Sequence, residues 1–170
     1  MTTRTTPTLR WADVSARQDR NNLPYYAIMG IADGTLDRRD WGIAVADAWV
    51  GAEWPTSAVD GDLAIWETIF EWAVDGDGYL NDDGTVTSPT TLPESITLYR
   101  GATPERATGL SWTANRATAE WFATRLGQAG RVYEITISPE SVLAVFHGRS
   151  EAEYVVAVSS LFEDDVQEVD

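Results

Sequence analysis

The 170-residue chain has no cysteine and no lysine: all 12 of its cationic side chains are arginine, beside one histidine and two methionines. Without cysteine there can be no disulfide and no thiolate metal ligand. No apolar run reaches the roughly 18 residues needed to cross a bilayer, so no membrane association is expected. Residues 1–10 are rich in threonine and lack the apolar centre of a secretory signal, which makes the cytoplasm the expected compartment. Positive charge is scarce as well. The 12 arginines face 27 Asp and Glu, for a net charge of −15, which argues against a general grip on nucleic-acid phosphates. It leaves open the opposite idea, an acidic protein that imitates nucleic acid and occupies a basic partner.

What the chain does have is apolar and aromatic: 44% hydrophobic residues, including eight tryptophans. That composition makes a folded chain, expected as one domain with a helical extension. The acidity is uneven. Residues 1–93 carry 6 Arg against 15 acids, residues 94–162 carry 6 against 7, and the last eight carry five acids and no base. Three segments follow: a helical N-terminal extension (1–93), a nearly neutral core (94–162) and an acidic tail (163–170). The nearly neutral middle segment is where chemistry is expected.

In the first segment, Trp41, Val45 and Trp49 fall at i, i+4 and i+8 and predict a helix over Arg38–Val50. Ile65, Ile69 and Ala73, backed by Trp66 and Phe70, predict another over Asp62–Ala73. These tryptophans read as core. Asn21–Tyr26 has no clear pattern. Asp75-Gly76-Asp77-Gly78 resembles the start of a calcium loop, but the fifth, sixth and twelfth positions are Tyr79, Leu80 and Val86, which cannot complete one. A hairpin fits better, with Tyr79-Leu80 and Thr85-Val86 flanking an Asp83-Gly84 turn. Residues 87–93 then read as a linker.

The second half is strand-rich. Ile96–Tyr99 leads into Arg100-Gly101, and Leu110–Thr113 is a short extended piece. A helix is predicted from about Ala114 to Leu126, with Thr113 as its cap and Gly127 as its stop. Strands are predicted over Arg131–Ile137, Val142–Phe146 and Glu153–Val158. The order is that of an α+β domain.

Three short signatures stand out: Leu98-Tyr99-Arg100-Gly101, Gly109-Leu110-Ser111-Trp112-Thr113, and Glu151-Ala152-Glu153-Tyr154-Val155-Val156. Each is common on its own. Residues two apart on a strand share a face, so Ser111 and Thr113 should project together, as should Glu151 and Glu153, with Trp112 turned into packing. One Arg, one Ser and two Glu suit a substrate carrying phosphates, ribose hydroxyls and a developing positive charge.

In that order the signatures resemble the ADP-ribosyltransferases of the arginine–serine–glutamate class, the cholera-toxin-like and clostridial-toxin-like enzymes. The resemblance covers residues 94–158, well under half of the chain. It implies an α+β fold of the split β-sandwich kind, two packed sheets forming a cleft for NAD+. It further implies that Arg100 holds an NAD+ phosphate and that the Gly101 main chain lies beside the nicotinamide amide. Ser111 would orient Glu153, and Thr113 would support the site. Glu153 would bind the nicotinamide-ribose 2′-hydroxyl and stabilise an oxocarbenium-like transition state. Glu151 would select the acceptor, arginine being the residue that glutamate there accompanies. Phe146, which precedes this pair, is either core or a target-recognition aromatic, and His147 reads as a surface histidine. Arg100 and Ser111 are only 11 positions apart, where larger members insert a covering helix.

The activity so implied is mono-ADP-ribosylation of a protein by NAD+, without a metal and without direct nucleic-acid binding. Two rivals share the sequence: an NAD+ glycohydrolase, with water as acceptor, and a non-enzymatic acidic inhibitor of a basic partner.

Overall fold

The computed structural model of the chain describes residues 8–127, 129–148 and 152–170. Its helices are Trp11–Ser15 (α1), Leu23–Ala32 (α2), Trp41–Gly51 (α3), Leu63–Val74 (α4) and Arg116–Thr124 (α5). Its strands are Tyr79–Leu80 (β1), Val86–Thr87 (β2), Ile96–Ala102 (β3), Ser111–Thr113 (β4), Arg131–Ile137 (β5), Val142–Phe146 (β6), Glu153–Val156 (β7) and Gln167–Val169 (β8). Among the described residues no helix is long and apolar enough to cross a membrane.

Both helices expected from apolar spacing form. A short 3-10 turn over Arg38–Asp40 leads into α3, which buries Val45 and Trp49. The Asp62 carboxylate accepts the Ala64 N–H at 3.0 Å and caps α4. The buried face of α4 is Trp66, Ile69 and Phe70, while Ile65 stays exposed. The stripe is turned from the one drawn through Ile65: Trp66 and Phe70, one helical turn apart, take the core, while Trp72 stays exposed. The unpatterned stretch around Asn21 gives way to α2, which carries Pro24 in its first turn, where a missing N–H costs nothing. The cap of α5 is Asn115 rather than Thr113: its side chain accepts the Ala117 and Thr118 N–H groups, while Thr113 Oγ1 accepts the Asn115 N–H at 3.1 Å.

The eight strands join in one continuous sheet, in the order β2-β1-β6-β7-β4-β3-β5-β8. The α+β character is therefore present, and among the described strands there is one sheet rather than the two expected of a split sandwich: β6, β7, β4 and β3 are hydrogen-bonded neighbours. The only parallel pairing among the described strands is β1 with β6. Residues 163–170, expected as a tail, supply β8, whose Glu168 pairs with Arg131 of β5 at 2.6 Å.

The helical first half and the sheet share one core. Trp11, Trp49, Trp66, Phe70 and Leu80 pack in the same cluster as Leu110, Leu143, Phe146 and Val155. The largest rings there meet edge to face, Trp49 with Trp66 at 5.1 Å and Trp49 with Phe70 at 5.3 Å. Such pairs contribute about 1 kcal/mol each beyond their buried area.

Strand register decides what shares a face. Tyr99 pairs with Thr113, Thr113 with Glu153, and Glu153 with Phe146. This row, together with Gly101, Ser111 and Val155, lies on one side of the sheet. Helix α5 covers its β3 end, packing Ala119 and Ala123 against Tyr99 and Val132. Helices α3 and α4 cover its β6 end. The β4 and β7 segments carrying Ser111 and Glu153 lie between these two walls. Leu98, Trp112, Tyr133, Val145 and Val156 pack on the opposite face.

Candidate active site

Ser111 Oγ donates a hydrogen bond to Glu153 Oε1 at 2.6 Å. The two residues lie in adjacent strands, two residues out of direct register and so on one face, since Glu153 faces Thr113 and Ser111 faces Val155. A second donor reaches the same oxygen: Trp49 Nε1 lies 2.9 Å from Glu153 Oε1. The carboxylate is thus fixed at one oxygen by a hydroxyl from the sheet and an indole from α3. Glu153 itself is half-buried.

Its spacing predicts Trp49 as core, and it is there, 5% exposed. A buried indole N–H needs an acceptor, which was the available signal. Nothing in the spacing of α3 says that this acceptor sits 104 residues later.

Arg100 is held differently from Ser111 and Glu153. Strand alternation places it on the Leu98 and Trp112 side of the sheet. There Arg100 Nη1 donates to the Ser111 carbonyl at 2.7 Å and Nε to the Arg106 carbonyl at 3.1 Å. A β-carbon on Gly109 would come within 2.5 Å of the guanidinium, so glycine is what lets the loop pass over it. Loss of hydration pushes Arg100 down to about 10, with the charge of Glu153 opposing the shift and that of Arg106 adding to it. No ion pair joins Arg100 to an acid among the described residues. A desolvated cation with donors to spare attracts an anion.

Gly101 has a structural explanation. A β-carbon there would stand 1.8 Å from the Ala119 carbonyl oxygen and 2.5 Å from the Ala123 nitrogen, inside α5. Close approach of the helix, rather than of a ligand, accounts for the glycine. Thr113 is buried, and its hydroxyl orders the entry to α5. Trp112 is core, with its indole N–H on the Gly109 carbonyl at 2.6 Å.

Phe146 is not a recognition residue. It is 2% exposed and packs against Phe70 of α4, with ring centres 6.3 Å apart, so no partner can reach it. The exposed His147 donates its main-chain N–H to Asp82 at 2.9 Å, tying the end of β6 to the β1–β2 hairpin. Glu151 lies outside the described residues.

Two surface depressions accompany these features. One of about 490 Å3 is lined by Thr103–Glu105 and Ala129–Arg131, the other of about 380 Å3 by Arg38, Trp41, Glu71, Trp72, Asp75 and Gly76. Neither is lined by Arg100, Ser111 or Glu153, so the candidate site is not centred on either. Among the described residues no group of three or more His, Asp or Glu side chains is placed to hold a metal ion.

Comparison with protein-family models, curated proteins and solved structures finds no match to this chain.

Proposed function

We propose that the chain cleaves the glycosidic bond of NAD+ and transfers ADP-ribose to a protein side chain, with arginine as acceptor. The observation that carries this reading is the 2.6 Å hydrogen bond between Ser111 and Glu153, residues 42 positions apart. An ionised carboxylate pinned at one oxygen keeps the other for a ribose hydroxyl and for positive charge developing at C1′. Trp49 strengthens that placement from the helical half.

The reaction needs little else from the protein. The C1′–N bond breaks with its electron pair going to nicotinamide, which leaves neutral. An arginine nitrogen then forms the new bond to C1′ and releases one proton. Glu153 stabilises the cation between these events and Ser111 holds Glu153. Glu151 relieves the acceptor of its proton.

Incubation with adenylate-labelled NAD+ and cell lysate tests the reading. Label on protein together with free nicotinamide is the expected result. Free ADP-ribose with no labelled protein assigns the chain to NAD+ hydrolysis instead. Intact NAD+ throughout refutes both and favours the acidic binding protein.

A further inference from the structure

Where the segment that follows α3 comes near the end of α5, an arginine side chain lies against three aromatic rings. The Arg125 guanidinium carbon lies 5.0 Å from the ring centre of Phe122, 5.5 Å from Trp54 and 5.6 Å from Trp121. Trp121 and Phe122 stand edge to face, 4.9 Å apart. These rings are not core. Trp54 is 49% exposed, Trp121 59% and Phe122 39%. No ion pair joins Arg125 to an acid among the described residues, so the aromatic faces are its main visible partners.

A short chain of contacts connects this cage to Glu153. Trp49, which donates to Glu153, packs edge to face on Trp66 at 5.1 Å. The Trp66 indole donates to the Pro55 carbonyl at 3.1 Å, and Trp54 is the next residue. From the opposite wall, α5 packs over Gly101 and ends at Arg125. The strands bearing Ser111 and Glu153 run between the two walls.

We propose that the Trp54, Trp121 and Phe122 surface binds the guanidinium of an arginine side chain presented by a partner protein, and that Arg125 is its resident stand-in. The seated guanidinium shows that the spacing of the rings fits this group. A net charge of −15 draws basic protein surfaces towards it. Naming the bound arginine as the acceptor rests on the transferase reading above; its binding does not.

The test is a titration of the full chain with N-acetyl-Gly-Arg-Gly-amide in the absence of NAD+. It is followed at the indole N–H resonances of Trp54 and Trp121, assigned by Trp54→Phe and Trp121→Phe. Saturable shifts at both are expected, at least threefold tighter than with the lysine analogue or 1-methylnicotinamide. Arg125→Ala empties the cage and should tighten peptide binding at least threefold, an effect that a purely structural Arg125 would not produce. Trp121→Ala, at an exposed position, should weaken it at least fivefold without unfolding. The proposal is overturned if neither indole shifts, if lysine or the pyridinium binds as well, or if Arg125→Ala leaves affinity unchanged or lowers it. Nicotinamide release by the same wild-type preparation is scored separately, so a failed cage and a failed transferase give different results.

Discussion

Trp49 of α3 and Glu153 of β7 share a hydrogen bond of 2.9 Å across 104 residues of chain. The indole reaches the carboxylate from the core that α3, α4 and the sheet build together. The helical half is thereby part of the candidate site, because it supplies one of the two side-chain donors described on Glu153. Arrangement of the carboxylate and packing of the first half rise or fall together.

Replacing Trp49 by Phe keeps an aromatic ring in the core and removes the N–H. A hydrogen bond to a charged group contributes about 1.5–3 kcal/mol. Trp49→Phe should therefore lower kcat for nicotinamide release by roughly 10- to 100-fold, with KM within about twofold, since the donor acts on Glu153 and not on the substrate. A packing defect alone would lower the melting temperature and leave kcat, measured well below that temperature, unchanged.

Gly101→Ala tests whether α5 or a ligand demands the glycine. The added methyl would collide with the Ala119 carbonyl, which belongs to helix backbone and cannot rotate away. A loss of about 3 kcal/mol is expected, at the upper end for an overpacked site. Melting of the protein without any ligand should already show it, whereas a glycine needed only for NAD+ would leave the melt unchanged.

Phe146→Ala should destabilise strongly. Truncating a buried phenylalanine costs about 3–5 kcal/mol, and at about 2–4 °C per kcal/mol for a chain of this size the melting temperature should fall by roughly 10 °C. Target preference, compared at a temperature where the variant stays folded, should not change.

Acid should weaken the N-terminal staple. Arg10 donates twice to Asp40, at 2.6 and 2.8 Å, and the Trp11 N–H donates to the same carboxylate at 2.8 Å. The Arg10 hydrogen bonds hold the Asp40 carboxyl below its ordinary value, with burial opposing. A carboxylate depressed in the folded state adds stability above its unfolded value and loses it as pH falls through the folded one. Asp40→Asn should thus cost about 2 kcal/mol at neutral pH. It should also flatten the decline of melting temperature below pH 4, which can be followed by scanning from pH 7 to pH 2.5.

Much of the local order could be read in the residues. The α3 and α4 spans, the β1–β2 hairpin and strands β3 to β7 follow from periodicity and turn chemistry, whereas β8 lies in a segment expected as an acidic tail. Alternation also put Ser111 and Thr113 on one face with Trp112 in the core. Short-range competition blurred some boundaries: Thr113 and Asn115 are both capping residues, and the asparagine prevailed because it reaches two N–H groups. Non-local contacts were not legible. Nothing in the spacing of residues 94–158 says whether β6, β7, β4 and β3 form one sheet or two, since that depends on which edges pair. The Trp49 contact was hidden for the same reason. Arg100 was grouped with Ser111 and Glu153 by order along the chain, while the pleat sends its side chain to the other face.

Glu153, fixed by Ser111 and Trp49, is proposed to carry NAD+ cleavage. Nicotinamide release from NAD+ by the wild type and by Glu153→Gln, at equal concentration and with matched melting temperatures, tests it most directly. A measurable wild-type rate that falls by about 100-fold or more in Glu153→Gln is the predicted result, in line with loss of one preorganised charge-stabilising group. Equal rates in the two proteins, or no release from the wild type with or without lysate, would contradict it.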